Sequence, residues 1–592
     1  MIKRLTPFAI LAAAACGGGG DSTGPGNKPS SDLSTMAVGE VRVFNPSEIT
    51  NGLNLPAGSG ARDYVVIVGN TNSAQDVVAN YVVKADRSSG GSFNIAAPSD
   101  VGLSSSIMLG NLDIPRTRTQ ALEQKVRAFE RTGLALHSKS ALPGLGRFTL
   151  RRSGSTSAAA VPAVGDVLNL KIPDGNSNNL CDNFIPTQAV VASVSTHAII
   201  AVDTLDGPPA TLFTPAVLDS IAQEFDNTTF PTDAAYFGTP TDVDGNGRVI
   251  ILFTGQINKL TPANSQNGFV GGFFFAGDFF PTTDQGGGPN SFCPQSNNAE
   301  IFYLLSPDPT GRFGNVRTTA SVRQGTRGTI AHEFQHMINA GRRFQNPAVS
   351  EFESTWLDEA LAHFAEDAVG RVQRGFGDLQ TLTLADLVPA GNQGANNDFN
   401  AFFFQNLARL TYWMLRPDTS AATSKHADQN LSTRGAAWSL VRYAADNFSG
   451  DAPRAFTLKL AAGPDTGTKN FAAATKQPLD TLISGWLVAN YADHLGITGL
   501  NPKYQYKSYN FRNVMPRVAQ AVTGSATATY PLQVQPIGSG TDNISSTNRS
   551  GSGTYYRLNV AAGAAAKNVK ILDQSGAQAA FPGEHVYVLR VQ

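Results

Sequence analysis

The segment Thr329-Ile-Ala-His332-Glu333-Phe-Gln-His336-Met-Ile constrains this chain more than any other. Residues four apart on an α-helix lie about 40° apart in projection, so both imidazoles face one spot and a single cation can engage them. A carboxylate one position after the first histidine is placed to take a proton from a water that such a cation polarises. Ile330, Phe334 and Met337 or Ile338 fall on the opposite face, so the helix can bury one side and present the other. Two incidental histidines on a helix would be the bland alternative. The apolar flanks, and the lack of proline or lysine between the histidines, count against it.

The third ligand decides which kind of site this is. A continuation HExxHxxGxxH fails, because Asn339 holds the glycine position and Arg342 the third histidine. Twenty-three positions after His336 the chain reads Thr355-Trp-Leu-Asp-Glu359-Ala-Leu-Ala-His-Phe-Ala-Glu-Asp367. Glu351 and Glu353 are rival carboxylates, but they precede this helical run. The run resembles the second helix of gluzincins, W-L-N-E-G, with Asp358 where Asn is usual and Ala360 where Gly is usual. HEFQHMI and TWLDEALAHFAED, with DVDGNGRVIILFT upstream and DTLISGWLVANYAD downstream, resemble the hyicolysin-type neutral zinc metallopeptidases of the gluzincin group. The likeness covers about residues 165–508. It implies an α+β, zincin-like catalytic domain and a secreted endopeptidase acting on protein or peptide substrates. It further implies Zn2+ held by His332, His336 and Glu359, with Glu333 as the catalytic base.

Two rivals stand beside that reading. Zinc aminopeptidases share the metal motif but capture the substrate amine with a G-x-M-E-N segment, and none of the 6 methionines here is followed by Glu-Asn. A cell-surface binding protein with a non-catalytic zinc site would have no need of Glu333. Weaker features surround the motif. His363, four residues after Glu359, and Asp358 are candidates to orient the ligands. Tyr443, Arg434 and Tyr491 are candidates, by chain position, to stabilise an oxyanion. The strand-like Glu300 to Leu305 is the expected peptide-binding strand, and Phe273 to Phe275, Phe279 and Phe280 read as core and cleft wall. Asp242-x-Asp244-x-Asn246-Gly resembles the start of a Ca2+ loop, but Phe253 stands where the loop's bidentate glutamate belongs.

The chain ends differ in character. Lys3 and Arg4 precede an apolar stretch reaching Ala15, then Cys16 and GGGGDSTGPG. This resembles a bacterial lipoprotein signal and predicts an exported chain, lipid-anchored through Cys16 or secreted. The reading divides the chain into a signal peptide (1–15), a flexible tether (16–35), an N-terminal β-rich domain (36–112) and a surface or linker helix with a low-complexity segment (113–164). The catalytic domain (165–508) and a C-terminal β-rich, sandwich-like domain (509–592) follow. In an exported protein the remaining pair, Cys181 and Cys293, predicts one disulfide. The net charge is −1 and no Lys/Arg cluster stands out, which argues against a nucleic-acid partner and leaves the lipid as the membrane contact. A monomer is expected.

Overall fold

Runs of β-branched and aromatic residues between Gly, Asn and Pro make the first strands, as their pattern predicts. They are β1 (Val41–Phe44), β2 (Leu53–Leu55), β3 (Arg62–Asn70) and β4 (Val78–Arg87). The computed structural model describes residues 30–58, 60–87, 122–130, 160–261, 263, 269–280, 293–346, 348–427, 430–537, 542–579 and 583–592. The signal peptide, Cys16, most of the tether and most of the low-complexity segment lie outside these residues. After β4 comes a helix, α1 (residues 122–130).

The central body opens with β5 (Val167–Pro173), β6 (Phe184–Val194) and β7 (Ala198–Asp203), followed by helices α2 (Pro215–Glu224) and α3 (Phe230–Phe237). Strands β8 (Val249–Phe253), β9 (Gly272–Phe274) and β10 (Ile301–Leu304) complete a six-stranded sheet of order β5-β6-β7-β8-β10-β9. Strands β7, β8 and β10 run parallel, whereas β9 is antiparallel to β10 and ends the sheet. A disulfide joins Cys181, before β6, to Cys293, before β10, and both cysteines are buried. The expected peptide-binding strand at 300–305 is therefore interior, flanked on both sides, and the sheet edge belongs to β9.

Helices follow: α4 (Thr319–Gln345), α5 (Thr355–Arg374), α6 (Phe404–Leu415), α7 (Leu431–Phe448), α8 (Leu479–Ala492) and α9 (Phe511–Thr523). The apolar spacing predicts helices over 326–342, 354–370, 399–415, 434–448 and 478–494, and each lies on one of these, a π-helical turn at Phe399–Phe403 leading into α6. Thr318 caps α4 by accepting from the Ser321 amide, and α5 stops at Gly375, whose φ of 68° suits a left-handed cap. Among the described residues no helix is long and apolar enough to cross a membrane.

The last strands are β11 (Val534–Pro536), β12 (Asp542–Arg549), β13 (Ser552–Val560), β14 (Lys567–Leu572) and β15 (Glu584–Arg590). They correct the expectation of two separate β domains. Strands from both chain ends interleave in a five-stranded sheet, β1-β15-β3-β13-β11, and a four-stranded sheet, β12-β4-β14-β2. β3 is hydrogen-bonded to β13 on one side and to β15 on the other. This explains its uninterrupted run Tyr64 to Val68. Tyr64, Val66 and Val68 belong to the core between the two sheets, while Val65 and Ile67 join the core of the central body. Alternation can order a half-buried strand in a sequence, but a strand covered on both faces reads as continuous apolar residues.

The sandwich is seated on α8. Leu487 lies over Gly69 of β3 and Gly553 of β13, where a Cβ would stand 2.8 and 2.9 Å from its Cδ1. The Tyr555 hydroxyl donates to the Leu487 carbonyl at 2.9 Å. The C-terminal boundary also shifts. α9 buries Phe511, Val514, Met515 and Val518 in the central core, so the strand-forming part begins near residue 534 rather than at 509.

Because β3 has strands 13 and 15 as its neighbours, a chain truncated after residue 530 is expected to expose Tyr64 to Val68. Limited proteolysis should then cut within residues 36–87 at protease levels the full chain resists. Unchanged resistance would contradict this dependence of one chain end on the other.

Candidate metal centre

Helices α4 and α5 pack against each other, and their facing sides carry polar groups in an otherwise apolar interior. His332, Glu333 and His336 from α4 and Glu359 from α5 are all buried. His332 Nε2 stands 3.1 Å from His336 Nε2 and 3.5 Å from Glu359 Oε2, and His336 Nε2 is 3.9 Å from Glu359 Oε1. Ligand atoms about 2.0–2.1 Å from a tetrahedral zinc lie roughly 3.3 Å from one another, so these separations fit such an ion. Glu359 Oε2 is buried, 3.5 Å from His332 Nε2 and 3.1 Å from Arg434 Nη1.

Behind these groups lies a layer that fixes their orientation. Glu366 Oε1 lies 2.8 Å from His332 Nδ1 and 3.0 Å from His363 Nδ1. Asp358 Oδ2 lies 2.9 Å from His336 Nδ1. A carboxylate at Nδ1 favours the tautomer that carries its proton there and frees Nε2 as a lone-pair donor. Sequence reasoning picked Asp358 and His363 for this layer and missed Glu366. Glu366 lies seven residues, two helical turns, after Glu359, so the same spacing argument could have found it. Glu353, one of the rival carboxylates, is elsewhere: it pairs with Arg343 and accepts from the Gly467 amide at 2.6 Å.

Within the cluster, carboxylates and basic groups stabilise one another's charged forms. Burial disfavours charge on His332, yet the hydrogen-bonded carboxylates of Glu359 and Glu366 outweigh it and raise the imidazole to about 10. Glu359 is held well below the usual carboxylate range despite its burial, chiefly by Arg127, His332 and His336. Glu366 is likewise lowered against burial by His363 and His332. His363 itself falls to about 4 through burial and the Arg409 charge, so it stays neutral. Glu333 points to the sheet: its Oε2 accepts from the Phe274 amide of β9 at 2.8 Å. The carboxylate adjacent to the first histidine is thus tied to the edge strand.

The candidate oxyanion donors separate. Arg434 reaches the site, with Nη1 3.1 Å from Glu359 Oε2 and Nε donating to the Ala427 carbonyl. Tyr443 does not. Its hydroxyl donates to the Lys503 carbonyl and its ring packs on Phe448 and Tyr506, because it lies on a different face of α7 from Arg434. Tyr491 lies with the Arg512 guanidinium over its ring. One unforeseen residue is present: Arg127 of α1, far upstream in sequence, contacts Glu359, His336 and Asp358. Residues 122–130 of the 113–164 segment therefore form a helix that buries one face against the metal centre.

A second acidic cluster gathers Asp242, Asp244 and Glu300, with oxygens within 4.8 Å of one another. Glu300 heads β10 and accepts from the Val243 amide with both oxygens, so a neighbouring strand brings a carboxylate to a turn whose own sequence lacks one. Burial pushes Glu300 up to about 8.

No family model matches the chain. Over 147 residues it is 32% identical to the neutral metalloprotease ShpI of Staphylococcus hyicus. The match takes in 25% of this chain and 30% of that protein. The likeness is to a metalloprotease.

Three outcomes follow. Replacing Glu359 by Ala should abolish retention of zinc through gel filtration, and Glu366→Ala should weaken zinc binding about 10–100-fold in a chelator competition. A carboxyl raised by folding stabilises the fold below its unfolded value and loses that contribution as pH rises through its folded value. In calcium-free buffer the melting temperature should therefore fall between pH 5 and pH 8, less steeply in Glu300→Gln, as differential scanning fluorimetry across that range would show.

Proposed function

We propose that this chain is an exported zinc-dependent endopeptidase with a zincin-like catalytic domain. The observation that carries this is the His332, His336 and Glu359 cluster with Glu333 beside it, anchored to an edge strand. Zinc, when bound, would polarise a water and a substrate carbonyl. Glu333 would take the proton from the attacking water and pass it to the leaving amine. The Phe274 N–H holds that carboxylate in place. Glu366 and Asp358 would keep the imidazoles oriented, and Arg434 is the donor best placed to meet negative charge developing on the carbonyl oxygen.

The choice of endopeptidase over aminopeptidase rests on β9 and on the absent amine-capture motif. β9 ends the sheet, so among the described residues its outer edge is not paired with another strand. An extended peptide can add to such an edge and continue past the site in both directions. Export, and lipidation at Cys16, rest on the N-terminal sequence, and a monomer is the simplest assembly. Calcium at Asp242, Asp244 and Glu300 would hold the loop before β8, with Glu300 supplying the carboxylate the linear motif lacks.

Casein hydrolysis should stop with a chelator and return with zinc. Glu333→Gln should keep its zinc and lose about 10²–10⁴-fold in rate. A zinc-loaded wild type no more active than that variant across varied peptides would refute the peptidase assignment.

A further inference from the structure

We propose that residues 122–130 form a built-in plug of the metal cleft, with Arg127 holding the metal-binding atoms so that plug and zinc exclude each other. The inference rests on the assignment of His332, His336 and Glu359 as the zinc site. Arg127 Nη2 lies 3.0 Å from His336 Nε2 and 3.1 Å from Glu359 Oε1. Those are the atoms a metal would use. A lone pair on Nε2 that accepts from a guanidinium N–H cannot at the same time bind a cation. Nη1 donates to Asp358 Oδ2 at 2.8 Å and to Glu130 Oε2 at 2.8 Å, so the guanidinium also engages the carboxylate that orients His336.

The rest of α1 is shaped for this seat. Leu122, Val126 and Phe129 recur at helical spacing and are all buried, as are Arg127 and Glu130, while Ala128 is exposed. The Phe129 ring lies 4.7 Å from that of Phe275 and 6.3 Å from that of Phe280, on the loop that leaves β9. Glu123 pairs with Arg434 at the opposite wall, and Lys125 Nζ donates to the Gly175 carbonyl at 2.8 Å. The helix thus reaches from the edge-strand side, beside the residue that anchors Glu333, to the candidate oxyanion donor. A substrate lying along β9 would meet it. Charge-assisted bonds in a buried site are among the stronger polar contacts, and zinc has to displace those that Arg127 makes to His336 Nε2 and Glu359 Oε1 before it can take these ligands.

The test uses the full chain, stripped of metal, with zinc alone as probe in a chromophoric chelator competition. If the plug is seated in nine-tenths or more of the molecules, Arg127→Ala should bind zinc at least about tenfold more tightly than wild type. Phe129→Ala, which loosens the helix without touching a ligand, should shift affinity in the same direction and guards against a misfolded first variant. In a Glu333→Gln background, which prevents self-digestion, zinc should also speed tryptic cutting after Lys125 and Arg127. Affinities of both variants within about twofold of wild type, or tryptic cutting indifferent to zinc, would overturn the plug. Tighter zinc binding without casein hydrolysis by any variant would uphold the plug and remove the peptidase reading. A wild type that is fully active and binds zinc as tightly as Arg127→Ala would do the reverse.

Discussion

Four carboxylates, Glu333, Asp358, Glu359 and Glu366, lie buried with His332, His336 and His363 where two helices pack. Taking such charges out of water is costly unless each finds a partner. The arrangement resolves this by layers. Glu366 and Asp358 each face an imidazole, and Glu333 takes a backbone amide from β9. Glu359 meets cationic groups from two directions, Arg127 and Arg434. Several elements converge on the cluster. α4 and α5 supply the ligand atoms, β9 steadies the base, α7 brings Arg434, and α1 brings Arg127. Removing one partner would leave a buried charge unmatched, which is why the cluster imposes order on so many distant segments.

The scaffold around it explains how the cluster stays in register. The six-stranded sheet presents its edge strand beside α4, and the disulfide ties the approach to β6 to the approach to β10. Both chain ends share one sandwich, and that sandwich rests on α8 through Leu487 against two glycines. A side chain at either glycine would hold the layers apart. The helical core and the sandwich are thereby joined through a contact that neither half could make alone.

Helices were legible because their apolar residues recur at helical spacing over many turns. The ligand cluster was legible because HEFQH and WLDEALAHF put their functional groups at helical intervals within single helices. Glu366 was within reach of the same reasoning. Tyr443 was misplaced because chain position says on which helix a residue sits but not toward which neighbour it turns. The edge strand itself went unread for a related reason: Gly272 to Phe274 is three residues long, too short for a periodic signal.

The sequence by itself determined the local chemistry: two histidines and an acid on one helix, a glutamate on the next, and turns and strands at both ends. Local spacing encodes these because bond geometry fixes which residues share a face. Only the tertiary structure decided what came from far along the chain. It paired β3 with β13 and β15 across more than four hundred residues, brought Glu300 to Asp242 and Asp244, and set Arg127 against Glu359. Such contacts depend on which surfaces meet when the whole chain packs. No short-range pattern records that choice.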